Sequence, residues 1–138
     1  LTTIPGIGYY TALALVATIG DINRFRSSEA LCSYFGLVTS TYQSADTEYH
    51  GSTTKQGPAL IRWLLVECTW VHIRYCKESE LTRFYNRIAR KRGKMKATIA
   101  TARKMVKVIY WMLKDEEPYH VGGQVPRGFR AGQKRYSD

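Results

Sequence analysis

Cysteine, proline, acidic residues and long apolar runs are all scarce in this chain, and each scarcity excludes something. The three cysteines, Cys32, Cys68 and Cys76, are an odd number without close metal-ligand spacing, which argues against a disulfide framework and a zinc site. They read as small buried apolar residues. No apolar run reaches the ~18 residues of a membrane-spanning helix, and the Leu1 end lacks the charged start and apolar stretch of a signal peptide. The expectation is a soluble, cytoplasmic protein with no membrane partner. Carboxylates number 11 against 21 lysines and arginines, and they are scattered, with Asp46 and Glu48 the close pair in the polar stretch from Leu37 to Gln56. That falls short of the cluster two-metal phosphoryl transfer needs, so no self-sufficient nuclease and no metal site are expected here.

What remains is one domain's worth of chain. With 138 residues and 44% apolar content, it can bury ~65–70% of the surface its unfolded form exposes, enough for one core without staples. The charge excess has an address. From Leu81 through Lys107 there is no acidic residue, while Arg83, Arg87, Arg90, Lys91, Arg92, Lys94, Lys96, Arg103, Lys104 and Lys107 make ten basic ones. The rest of the chain balances. A block of like charge repels itself, and a polyanion that neutralises it is the simplest reason for its presence, with a solvated helical face as the alternative.

Periodicity predicts an all-α domain of about five helices over residues 1–120. The first covers Tyr10 to Ile19 and stops at Gly20; the second starts after Ser27 or Ser28 and stops at Gly36. Eight of the sixteen residues from Thr39 to Thr54 are Ser or Thr, so Leu37 to Gln56 reads as a long polar loop. Pro58 suits the first turn of a third helix reaching about Tyr75. Its stripe Ile61, Leu64, Leu65, Cys68, Val71, His72 and Tyr75, with Trp63, Val66 and Trp70 on the other side, makes it the expected core axis or an interface. His72 on that stripe reads as a satisfied core histidine. Trp63 and Trp70, one heptad apart, are candidate contacts to a second copy of the chain, against the alternative of packing on the first two helices.

Ser79 can cap a fourth helix with Leu81, Phe84, Tyr85 and Ile88 inward and Arg83, Arg87, Arg90 and Lys91 outward. After a break at Gly93, the fifth turns Met95, Ile99, Ala102, Val106, Ile109 and Leu113 inward and Lys96, Arg103 and Lys107 outward. Two basic ridges result. Residues 121–138, rich in Gly, Pro, Gln and Arg, are expected to form a flexible basic tail.

The sharpest local motif is Ile4-Pro5-Gly6-Ile7-Gly8 running into an apolar helix. It resembles the hairpin of a helix-hairpin-helix DNA-binding motif, in which glycines let the chain turn tightly and backbone N–H groups meet a phosphate. Gly6 and Gly8 are therefore candidate phosphate-binding positions, with an ordinary turn as the alternative. The motif's first helix would precede Leu1, which suggests a piece of a longer protein. Lys55, Arg62 and His50 are near enough in sequence to the polar loop to stabilise a phosphate or take a proton, but nothing in the residues alone selects a nucleophile among its hydroxyls.

Several signals recur in order: Thr3-Ile4-Pro5-Gly6-Ile7-Gly8, Ile19-Gly20-Asp21-Ile22 with Phe25, Leu31 to Tyr34 with Gly36-Leu37, Tyr42-Gln43-Ser44, Lys55-Gln56-Gly57, Leu60 to Leu65, Phe84-Tyr85, and Ala102-Arg103-Lys104. Together, over roughly residues 2–114, they resemble the C-terminal domain of insertion-sequence transposases of the IS one-ten family. The resemblance implies DNA recombination in a prokaryotic cell, at the nucleoid. It also implies a RuvC-like domain outside this chain that holds a divalent metal, such as magnesium, and a catalytic serine at Ser44. The family's serine precedes a glycine, whereas Ala45 follows Ser44 here. Some members are guided by a bridging RNA, which makes RNA a second implied polyanion beside DNA. The competing readings are a non-catalytic helix-hairpin-helix module of a repair protein and a domain that binds an acidic protein partner.

Overall fold

The computed structural model describes residues 1–37 and 56–119. The hydroxyl-rich segment with Ser44, Asp46, Glu48, His50 and Lys55, and the basic tail, lie outside the described residues. Within them the fold is all-helical, with five helices: α1 (Tyr9–Ile19), α2 (Ser28–Tyr34), α3 (Gln56–Tyr75), α4 (Glu80–Arg92) and α5 (Lys94–Asp115), plus a 3-10 turn at Ile22–Arg24.

Local chemistry sets the boundaries. The Ser27 hydroxyl accepts from the Ala30 N–H and the Ser79 hydroxyl from the Thr82 N–H, each at the N-cap of its helix. Gly93 separates α4 from α5 at φ +93°, a left-handed backbone that L side chains avoid. Arg24 closes the C-terminal end of α1 by donating to the Ile19 and Thr18 carbonyls, and its guanidinium stacks over Phe25 and Tyr34.

The core axis is α5, a correction to the expectation for α3. Eleven of its 22 residues are buried, and it packs against α4, α2, α3 and the 3-10 turn. Ile99, Ala102, Val106 and Ile109 face inward as their spacing requires, but Met95, two residues past the Gly93 corner, is 65% exposed. Among the described residues no neighbour covers it. On α3 the stripe is buried from Ile61 to Cys68 and at His72, while Val71 and Tyr75 are exposed. The apolar positions outnumber the neighbours available to cover them. Cys32 and Cys68 are buried and Cys76 half-buried, all as free thiols. Burial pushes the Cys32 thiol up to about 11, which keeps it protonated and inert.

Candidate nucleic-acid interface

The residues singled out in the sequence fall into four places. The first is the N-terminal turn. Ile4 and Ile7 are buried anchors, and the N–H of Ile7 donates to the Ile4 carbonyl, so residues 4–7 close tightly. Gly6 sits at φ +104°, and a Cβ there would lie 2.6 Å from the Cys68 carbonyl oxygen and 3.0 Å from the His72 nitrogen. The glycine is needed because the turn lies directly on the α3 backbone. Gly8 differs: its φ is −82°, it has open space around it, and it is the N-cap of α1 with no side chain closing the first turn.

His72 fastens the same turn. Its Nδ1 lies 2.6 Å from the Pro5 carbonyl oxygen and its Nε2 2.6 Å from the Ser79 hydroxyl. A carbonyl can only accept, so Nδ1 carries the proton, and Nε2 of the neutral ring and Thr82 Oγ1 share the single Ser79 hydroxyl proton as acceptors. Burial lowers the His72 pKa below its ordinary value, against the opposing pull of the Pro5 carbonyl. This is the satisfied core histidine expected from its stripe. Neither it nor the buried Ser79, already bound as the α4 cap, is available for chemistry.

The second place is Arg62 on α3. It is half-buried and lies against Gly36, where an added Cβ would come 2.6 Å from Nη1. It thus ties the last described residues before position 38 to α3.

The basic ridges are the third and fourth places, and they are not equivalent. Arg83, Arg87, Arg90 and Lys91 on α4, with Arg92, Lys94 and Lys96 around the Gly93 corner, are exposed. The ion pairs among the described residues lie elsewhere. Glu29 of α2 meets Arg103 Nη2 and Lys107 Nζ, each at 2.5 Å, and Lys104 meets Glu80 at 3.7 Å. The hydrogen bond from Lys107, aided by the charges of Lys107 and Arg103, holds the Glu29 carboxyl below its ordinary range despite partial burial. Burial draws the Lys104 pKa down while Glu80 opposes the shift, and its ammonium also caps the Phe84 ring at 4.4 Å. The Arg103 Nε is buried without a partner. Arg103 and Lys107, expected to face outward, instead join α5 to α2.

This pairing had no signal in local spacing, because Glu29 and Arg103 are 74 positions apart. The only hint was that Glu29 is the one acid on α2. An aromatic feature was also missed: the Trp70 ring meets Tyr85 of α4 edge-on, with centroids 6.1 Å apart. Trp63 is 58% exposed and Trp70 39%, so neither is packed away against α1 and α2. Among the described residues no three His, Cys, Asp or Glu side chains gather as a metal site would require, and no helix is long and apolar enough to cross a membrane.

Residues 1–86 match the profile of the "Transposase IS116/IS110/IS902 family". The chain is 31% identical over 87% of its length to the transposase for insertion sequence element IS1111A of Coxiella burnetii, covering 34% of that protein. It is 31% identical over 93% of its length to the insertion element IS110 uncharacterized 43.6 kDa protein of Streptomyces coelicolor, covering 31% of it. A pilin gene-inverting protein of Moraxella lacunata is 30% identical over 86% of the chain and is covered to 37%. The chain therefore spans about a third of the length of these curated relatives. No solved structure matches it.

Proposed function

The chain belongs to the IS116/IS110/IS902 family of transposases, and from that premise we propose that it is the nucleic-acid-binding, serine-bearing part of an enzyme that mobilises an insertion sequence. The observation that carries the binding half is the set of seven exposed cations on α4 and the Gly93 corner, none engaged in the ion pairs that hold α5 to its neighbours. Cations free of internal carboxylates are the ones that release counterions from a phosphate backbone. Contacts of this kind position a protein on DNA without reading its sequence. The open N-terminus of α1 at Gly8 supplies unclosed N–H groups and a positive dipole end, suited to a phosphate.

The chemical half rests on the family resemblance at Ser44. Its hydroxyl oxygen attacks a DNA phosphorus and gives its proton to a base; one phosphate–sugar bond breaks, and the departing sugar oxygen takes up a proton. A sugar hydroxyl of the partner strand then attacks the phosphoserine and releases Ser44, which exchanges strands without external energy. The divalent metal that the resemblance implies would be held by the RuvC-like domain outside this chain, where it would stabilise charge developing on the phosphate. That a relative is named for inverting a pilin gene fits the same class of reaction. A guide RNA and a second copy of the chain belong to this proposal as further partners, with Trp63 the exposed residue offered to the copy.

Duplex-DNA titration across salt concentrations tests the binding half. With six of the seven cations on phosphates, log affinity should fall against log salt with a slope of about −5; binding that ignores salt would reject the reading. In a full-length protein, Ser44→Ala should abolish the covalent protein–DNA adduct while leaving DNA affinity unchanged, and an adduct that survives would assign the chemistry to another group.

A further inference from the structure

The phosphate-binding reading leaves one feature of the α4 face unused. Beside the exposed cations lies an open cleft of about 520 Å³ lined by Tyr85, Asn86, Ala89, Arg90 and Lys94. Ala89 and the buried Tyr85 contribute apolar lining, and Arg90 and Lys94 contribute cations. Trp70 of α3 abuts Tyr85 edge-on and is itself 39% exposed. Arg74, one helical turn further along α3, is exposed as well.

A duplex cannot use such a cleft, because its bases are stacked on one another and it offers only phosphates and groove edges. An unpaired nucleotide can use every part of it. Its base has a free π-face for an aromatic ring, its edge has donors and acceptors for an amide, and its phosphate seeks a cation. We propose that Trp70 and the Tyr85–Asn86–Arg90–Lys94 cleft form a binding site for an unpaired nucleotide of a single-stranded DNA or RNA segment. The base stacks on Trp70, Asn86 reads its edge, and Arg90 and Lys94 hold the adjoining phosphate. Glu67, exposed one turn before Trp70, repels phosphate on that side, so the strand leaves towards Arg74. This inference rests on the nucleic-acid-binding reading and adds a ligand class that phosphate contacts alone do not select.

The test compares four probes on the 138-residue chain: an oligodeoxyadenylate, the oligoadenylate of the same length, an abasic strand of that length, and a duplex. Trp70→Ala should weaken the two base-bearing single strands about ten-fold and leave the abasic strand and the duplex within about two-fold, with the salt slope unchanged. Trp70→Tyr should restore most of the loss. Loss on both base-bearing strands supports a site that reads the base alone, and loss on one supports the site and identifies its source. A folded Trp70→Ala protein that binds all four probes like wild type, or weakens on all equally, overturns the proposal. Should Trp70→Ala unfold, the unaltered protein decides: its tryptophan fluorescence is quenched by the base-bearing strands and not by the abasic one, and equal quenching overturns the site. Salt-insensitive binding to the duplex would instead overturn the phosphate reading beneath it.

Discussion

The cations of α4 and those of α5 have the same residue types and the same helical spacing, yet their surroundings are opposite. Arg83, Arg87, Arg90 and Lys91 stand exposed along α4, whereas Arg103 and Lys107 converge on Glu29 and Lys104 on Glu80. The difference is topological. α5 is the axis of the core, so Arg103, Lys104 and Lys107 at its margin meet neighbouring helices, and a partly buried cation is tolerated only when paired. α4 covers one side of α5 and presents its other side to solvent. Counting charges therefore overstates the surface available to a polyanion, and the ion pairs identify which charges to discount.

The strongest way to sharpen this contrast is to dissolve the α5 clamp. Glu29→Gln should cost on the order of 0.5–1 kcal/mol of stability, modest because the carboxylate is more than half exposed. It should also steepen the salt slope of DNA binding by up to about 2, since Arg103 and Lys107 become available to phosphate. Thermal melts and the salt titration read the two effects separately. A destabilised variant with an unchanged slope would mean that the cations stay turned towards α2 without their acid.

Acid should separate the regions more gently. Among the described residues, buried His72 and the Glu29 clamp at the surface are acid-sensitive. The folded His72 pKa is lowered from 6.5, so its contribution is complete above 6.5 and is lost as pH falls from there towards the lowered value, because the unfolded chain binds the proton first. The folded Glu29 pKa is lowered from 4.5, so its contribution is complete above 4.5 and is lost as pH falls through the lowered value. Melting temperature should be level near pH 7–8 and decline below 6.5 as His72 titrates. His72→Gln, at a lower starting stability, should remove the first decline and leave the second. A wild-type curve flat from pH 7 to 5 would contradict the His72 assignment.

The elements were legible because their signals are local. Ser27 and Ser79 as caps, Gly20 and Gly36 as stops, and the Gly93 break each act within one helical turn, so the five helices follow the pattern with ends displaced by a residue or two. The satisfied state of His72 was legible in kind, from its place on an apolar stripe, but its partners were not: Pro5 is 67 positions away. The same limit hid the Glu29 clamp. For Gly6 and Gly8, spacing suggested one shared role, yet Gly6 is fixed by contact with the α3 backbone while Gly8 is open at the start of α1. Only packing makes that distinction.

On this contrast the α4 ridge, and not the α5 ridge, engages nucleic acid. The most direct test of this assignment is the salt dependence of duplex-DNA affinity for two variants beside wild type, Arg87→Ala/Arg90→Ala/Lys91→Ala and Arg103→Ala/Lys107→Ala. The α4 variant should flatten the log–log slope by about 3 with its melting temperature preserved, while the α5 variant should melt earlier and keep the wild-type slope within about half a unit. Equal flattening in both, or flattening by the α5 variant alone, would contradict it.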